Sequence, residues 1–103
     1  MPELYVLFWR DIPFEVVASR GEDRETLALS HRFKKAVADA AGREGLAEGE
    51  ESYAAQWRRG TSKPFNSSAA EAAKAMADML EQNFDPKMLA ELAAAGGHKA
   101  GAA

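Results

Sequence analysis

Along the chain, short apolar runs come first and helical stripes later. Residues 4–10 are almost continuously apolar, Leu4-Tyr5-Val6-Leu7-Phe8-Trp9, and end at the turn residues Asp11-Ile12-Pro13. A run this short, rich in aromatic and β-branched side chains, predicts a strand. Strict alternation puts Tyr5, Leu7 and Trp9 on one face and Leu4, Val6 and Phe8 on the other. Residues 14–19 predict a second strand, hairpin-paired with the first, and Pro13 favours an edge position because it has no N–H to donate. The polar stretch Arg20-Gly21-Glu22-Asp23-Arg24-Glu25 reads as a solvated loop.

From residue 30 the period changes. Phe33, Ala36, Val37, Ala40 and Ala41 recur at helical spacing, which predicts a helix over 31–42 with Ser30 as N-cap. Residues 53–59 fit two patterns. As a strand they put Tyr53, Ala55 and Trp57 on one face; as a helix they bring Tyr53 and Trp57 together at i, i+4. The strand is favoured, because two strands alone make a marginal sheet. Ser68-Ala69-Ala70-Glu71 is a capping box opening a helix over 69–83, with Ala69, Ala72, Ala73, Met76, Met79, Leu80 and then Phe84 inward. Asp85-Pro86 starts a last short helix with Met88, Leu89 and Leu92 on one side. These elements predict an α+β fold, a small antiparallel sheet of two or three strands with about three helices mainly on one face. Residues 1–92 form the domain, and 93–103 read as a flexible low-complexity tail.

Composition narrows the chemistry. With 103 residues and 47% hydrophobic positions, the chain makes one core. It has no cysteine, so disulfides, thiolate metal sites and cysteine nucleophiles are excluded. Its longest apolar run falls far short of the ~20 residues of a membrane span, and no signal-peptide pattern opens it. A cytoplasmic location is the default expectation. The formal net charge is −3. That balance argues against nucleic acid, although Arg58, Arg59 and Lys63 follow Trp57, and Arg32, Lys34 and Lys35 share a helix.

No catalytic constellation stands out. The two histidines are His31, at a helix start, and His98, in the tail. Glu48, Glu50 and Glu51 lack the glycine-framed pattern of a calcium loop. No metal and no cofactor is implied. The distinctive local feature is a pair of Trp-Arg dipeptides, Trp9-Arg10 and Trp57-Arg58, whose indoles meet if their strands are neighbours. Exposed, such residues make interaction hot spots; buried, they are simply core. Tyr5, Trp9, Arg10, Trp57 and Arg58 are the expected contact residues for another protein or a second copy of the chain. The rival site for an enzyme, or a subunit completing one, would gather Arg10, Asp11, His31 and Arg58.

Tyr5-Val6-Leu7-Phe8-Trp9-Arg10-Asp11-Ile12-Pro13, then Leu29-Ser30-His31-Arg32-Phe33, then Tyr53 through Trp57-Arg58-Arg59 resemble the bacterial domain family named "virulence factor". The resemblance covers about residues 4–92 and implies a small cytoplasmic protein without transferable catalytic residues. It also implies an association with folate- and corrinoid-linked one-carbon enzymes, hence an accessory subunit as an expectation. At position 31 the family pattern implies an acidic residue, and His31 departs from it.

Overall fold

Two strands, β1 (Glu3–Trp9) and β2 (Ile12–Arg20), pair antiparallel from Glu3 opposite Ser19 to Trp9 opposite Ile12. The structure is a computed structural model describing residues 2–98. The hairpin turn consists of Arg10 and Asp11, and Arg10 takes φ 56°. A side chain in that left-handed region costs about 1–2 kcal/mol, so the turn depends on support from elsewhere.

On its other side β2 pairs with β3 (Asp23–Ala28), through a turn in which Gly21 takes φ 61°. The free side of β1 takes β4 (Trp57–Arg59), giving the order β3-β2-β1-β4. The sheet therefore has four strands where two or three are expected. The error lies at residues 20–25: they form the end of β2, a tight turn and the start of β3. Their polarity is that of an edge strand whose outward side faces solvent, since charges on an edge discourage further pairing.

Pro13 does not place β2 at an edge; β2 is internal. Leu7 faces Glu15 and Phe8 faces Pro13, so Phe14 is an extra residue bulged out of the β1–β2 ladder. The β2–β3 ladder begins only at Glu15, and the missing N–H of Pro13 falls outside it.

Four helices follow the third strand in sequence rather than about three: α1 (His31–Arg43), the single turn α2 (Glu51–Ala54), α3 (Ala69–Asn83) and α4 (Pro86–Ala94). The predicted stripe of α1 is the one it buries. Ser30, however, makes no side-chain cap; its hydroxyl donates to Glu81 Oε1 at 2.8 Å, tying α1 to α3. Ser68 caps α3, Glu71 N–H donating to Ser68 Oγ at 3.1 Å while the Ser68 hydroxyl donates to Glu71 Oε1 at 3.1 Å, and Asp85 caps α4 through the Met88 N–H at 2.8 Å. Residues 53–59 combine both readings, ending a helical turn at Ala54 and entering β4 at Trp57. Among the described residues no helix is long and apolar enough to cross a membrane.

The core joins Leu4, Val6, Val16 and Ala18 of the sheet to Phe33, Val37, Leu80, Leu89 and Leu92 of the helices. Alanines on α1 and α3 let the backbones approach. Burying each large side chain contributes about 1.5–3 kcal/mol. Tyr5 and Val17, paired across the ladder, are buried outside this cluster. Trp9 belongs to the cluster with Leu4 and Val6, although simple alternation sets it with Tyr5. A bulge sharpens local twist, and the twisted hairpin end turns Trp9 into the core. Met79, expected inward, looks out instead at 45% exposed, and Met88, expected on one side with the buried Leu89 and Leu92, is 41% exposed.

Residues 93–98 are the end of α4 and a glycine turn. Gly97 N–H donates to the Leu92 carbonyl at 2.8 Å and Gly96 N–H to that of Ala93 at 3.0 Å, with Gly96 at φ 72°. That is the Schellman pattern, which satisfies the last helical carbonyls. The rest of the expected tail, 99–103, lies outside the described residues.

Candidate functional site

Neighbouring side chains on a strand point to opposite sides, and β4 therefore serves two openings. Arg58 borders a groove of about 490 Å³ whose apolar wall is Phe8, Phe84, Met88 and Leu92 and whose polar groups are Asp11, Asn83 and Glu91. Trp57 borders a second opening of about 430 Å³, with Phe14, Tyr53, Val37 and Leu46 inside and Lys34 and Glu48 among its lining residues.

The groove lies where β1 and β4 meet the α3–α4 corner. Gly60 keeps β4 close to Phe8; a Cβ there would stand 2.9 Å from the Phe8 ring. The Arg58 guanidinium lies over Phe8, 4.5 Å from its centroid. Its Nε donates to the Arg10 carbonyl at 2.9 Å and Nη2 to Asp11 Oδ1 at 3.1 Å. With half its side chain still exposed, Arg58 is an oriented cation at the rim. Phe84 follows α3 as its C-cap, and its ring packs toward Phe33 at 6.1 Å.

The five expected contact residues separate. Trp9 and Trp57 are direct partners across β1–β4, with the Tyr53 ring packed against each of them at 5.4 and 6.2 Å. Yet Trp9 has no exposed surface, and its indole N–H donates to the Tyr53 carbonyl at 3.1 Å. It cannot touch a partner while the fold holds. Tyr5 is 7% exposed and lies under the Arg59 guanidinium, 4.0 Å from its ring centroid. Arg10 is turned inward. Its Nε donates to Gln56 Oε1 at 3.1 Å, and its Nη1 donates to Glu44 Oε1 at 2.7 Å and the Gly96 carbonyl at 2.8 Å. Only Trp57 and Arg58 remain at openings, one at each.

The rival set also divides. Arg10, Asp11 and Arg58 meet around the hairpin turn, whereas His31 is exposed at the start of α1 and does not line the groove. Among the described residues, no three His, Cys, Asp or Glu side chains come together to hold a metal ion. The Arg10 guanidinium beside Glu44 holds that carboxyl below its ordinary value, with a smaller pull from His98. Burial, then the nearby Glu48 charge, holds the Tyr53 phenol above its own.

Phe8, Phe84 and Met88 line the groove, although the sequence pattern marks them only as apolar positions of a strand and two helices and not as site residues. The available signal was an apolar excess: Met88 and Met79 add more large apolar side chains than two short helices can bury.

The family described as "Virulence factor" matches residues 7–93. The chain belongs to the virulence factor family. The match runs from β1 into α4 and includes every residue lining the two openings. No curated protein and no solved structure matches this virulence factor family member.

Proposed function

We propose that this member of the virulence factor family is a non-catalytic interaction module, an accessory subunit that holds a protein partner in the groove of Phe8, Phe84, Met88 and Leu92. The observation that carries the reading is the groove itself: an apolar floor, a methionine 41% exposed and an oriented arginine at the rim. Protein interfaces combine an apolar centre with a polar rim and are enriched in arginine and methionine. Methionine adapts to irregular partners because it is unbranched. Asp11, Glu91 and Arg58 supply rim charges of both signs, which suits a partner segment with apolar anchors flanked by mixed charge.

The basic residues support a protein rather than a nucleic acid. Arg32 bonds Glu81 and Lys35 faces Asp39, so two of the cations Arg32, Lys34 and Lys35 already have carboxylate partners.

A photo-crosslinking side chain placed at Met88 tests the proposal in the native cell, with Lys74 on the exposed face of α3 as the control position. A discrete adduct from position 88, absent from position 74 and lost in Arg58→Glu, is expected. No adduct, or the same adducts from both positions, would overturn the reading.

A further inference from the structure

Away from the groove, three half-buried aromatic rings line one opening. Phe14 and Trp57 stand 75° apart in plane with centroids at 4.9 Å, and Tyr53 and Trp57 stand at 83° and 6.2 Å. All three keep part of their surface in solvent. The chain goes to some length to hold them there. Phe14 is the bulged residue of β2, Tyr53 ends a single helical turn, and Trp57 opens a three-residue strand. Val37 and Leu46 also line it, and the space measures about 430 Å³, within the ~300–1,000 Å³ of small-molecule sites.

The three rings line the opening and keep surface exposed there, and an aromatic face carries a negative quadrupole. That environment attracts a cation whose own surface is apolar, so that little hydration is lost on entry. A methylated ammonium ion is such a cation; a bare ammonium or a sodium ion is too strongly hydrated. Glu48 adds a carboxylate among the lining residues, near enough to act on the Tyr53 phenol. Lys34 also lines the opening and carries the opposite charge. It penalises a simple cation and favours a ligand that brings its own carboxylate.

We propose that this opening binds a small methylated ammonium compound, best a trimethylammonium group carrying a carboxylate. The N-methyl head sits against Phe14, Tyr53 and Trp57 with Glu48 beside it, and the carboxylate meets Lys34. No lining residue is shared with the groove, so this site and the protein-binding reading stand or fall separately.

Trimethylglycine and tetramethylammonium chloride are the probes, with glycine and ammonium chloride as controls, on the full chain. Amide and indole NMR shifts locate binding, and Trp57 fluorescence follows it, because Trp9 has no exposed surface. The expected result is saturable binding of trimethylglycine in the ~1–10 mM range, with shifts centred on Phe14, Tyr53 and Trp57 and none from glycine. Tyr53→Leu weakens it about fivefold, the size of one cation–π contact. Should that variant unfold, Glu48→Gln, at an exposed position, gives a weakening in the same direction. Absence of saturation by ~50 mM, equal shifts from glycine, or shifts away from the three rings would overturn the proposal. Tighter binding of tetramethylammonium than of trimethylglycine would overturn the role given to Lys34.

Discussion

Arg10 and Glu44, 34 positions apart, form a salt bridge of 2.7 Å in which the same guanidinium nitrogen also donates to the Gly96 carbonyl. One side chain thus fastens the β1–β2 turn to the end of α1 and the end of α4. The Arg10 N–H donates to the Gln56 carbonyl at 3.0 Å, adding the approach to β4.

Arg10→Ala is expected to lower stability by about 2–3 kcal/mol, the scale of losing charge-assisted bonds in a part-buried setting. Arg10→Gly should cost about 1 kcal/mol less than Arg10→Ala, because glycine relieves the backbone strain at φ 56°. Urea unfolding of both variants checks the order; equal losses would contradict the strain.

Glu44 has its carboxyl held below the ordinary 4.5 by Arg10. A depressed folded value means that the bridge contributes fully above the unfolded value and is lost as pH falls through the folded one. The stability gap between the wild type and Glu44→Gln should therefore be widest near neutrality and shrink from about pH 5 downward. Thermal midpoints across pH 3–7 measure it, and a gap independent of pH would refute the coupling.

Ending the chain after Ala94 removes the Gly96 and Gly97 carbonyls that accept from Arg10 Nη1 and the Asp11 N–H. A loss of about 2–4 kcal/mol is expected from the two unpaired donors and the uncapped helix. Gly97→Ala gives a milder version. Its φ is 92° and a Cβ would stand 3.2 Å from the Trp9 ring. Calorimetry of either variant tests this; wild-type stability in both would show the turn to be dispensable.

Acrylamide should quench the two tryptophans unequally. Trp9 is sealed and Trp57 half-buried, so Trp57→Phe leaves a weakly quenched protein. Trp9→Phe leaves a readily quenched one, destabilised by about 2–3 kcal/mol through the vacated volume and the lost indole bond to the Tyr53 carbonyl, which keeps the Gln56 N–H as its other donor. Similar quenching of both variants would contradict the burial.

The helices were legible because their ends carry chemistry of their own. Ser68 with Glu71 and Asp85 with Pro86 announce α3 and α4 locally, whatever lies around them. The third strand was not legible, because an edge such as Arg24-Glu25-Thr26 earns its place by backbone pairing to Ser19, Ala18 and Val17 rather than by its side chains. The same holds for the site. The sequence drew attention to both Trp-Arg pairs, but which member faces solvent is settled by the Phe14 bulge and by α4. Trp9-Arg10 becomes a structural joint and Trp57-Arg58 the accessible pair. Gly96 and Gly97 look like low-complexity filler; their function depends on Arg10, 86 positions earlier.

That span has a kinetic meaning. A turn that is unfavourable in isolation and is secured by residues 86 positions later cannot be completed before those residues have been synthesised. Until residue 97 emerges, the first hairpin is an unfinished ribbon with its indole in water, a state prone to wrong pairings. Completion of the hairpin should therefore wait on a long-range encounter, and cellular helpers that shield nascent strands would matter most for residues 3–20.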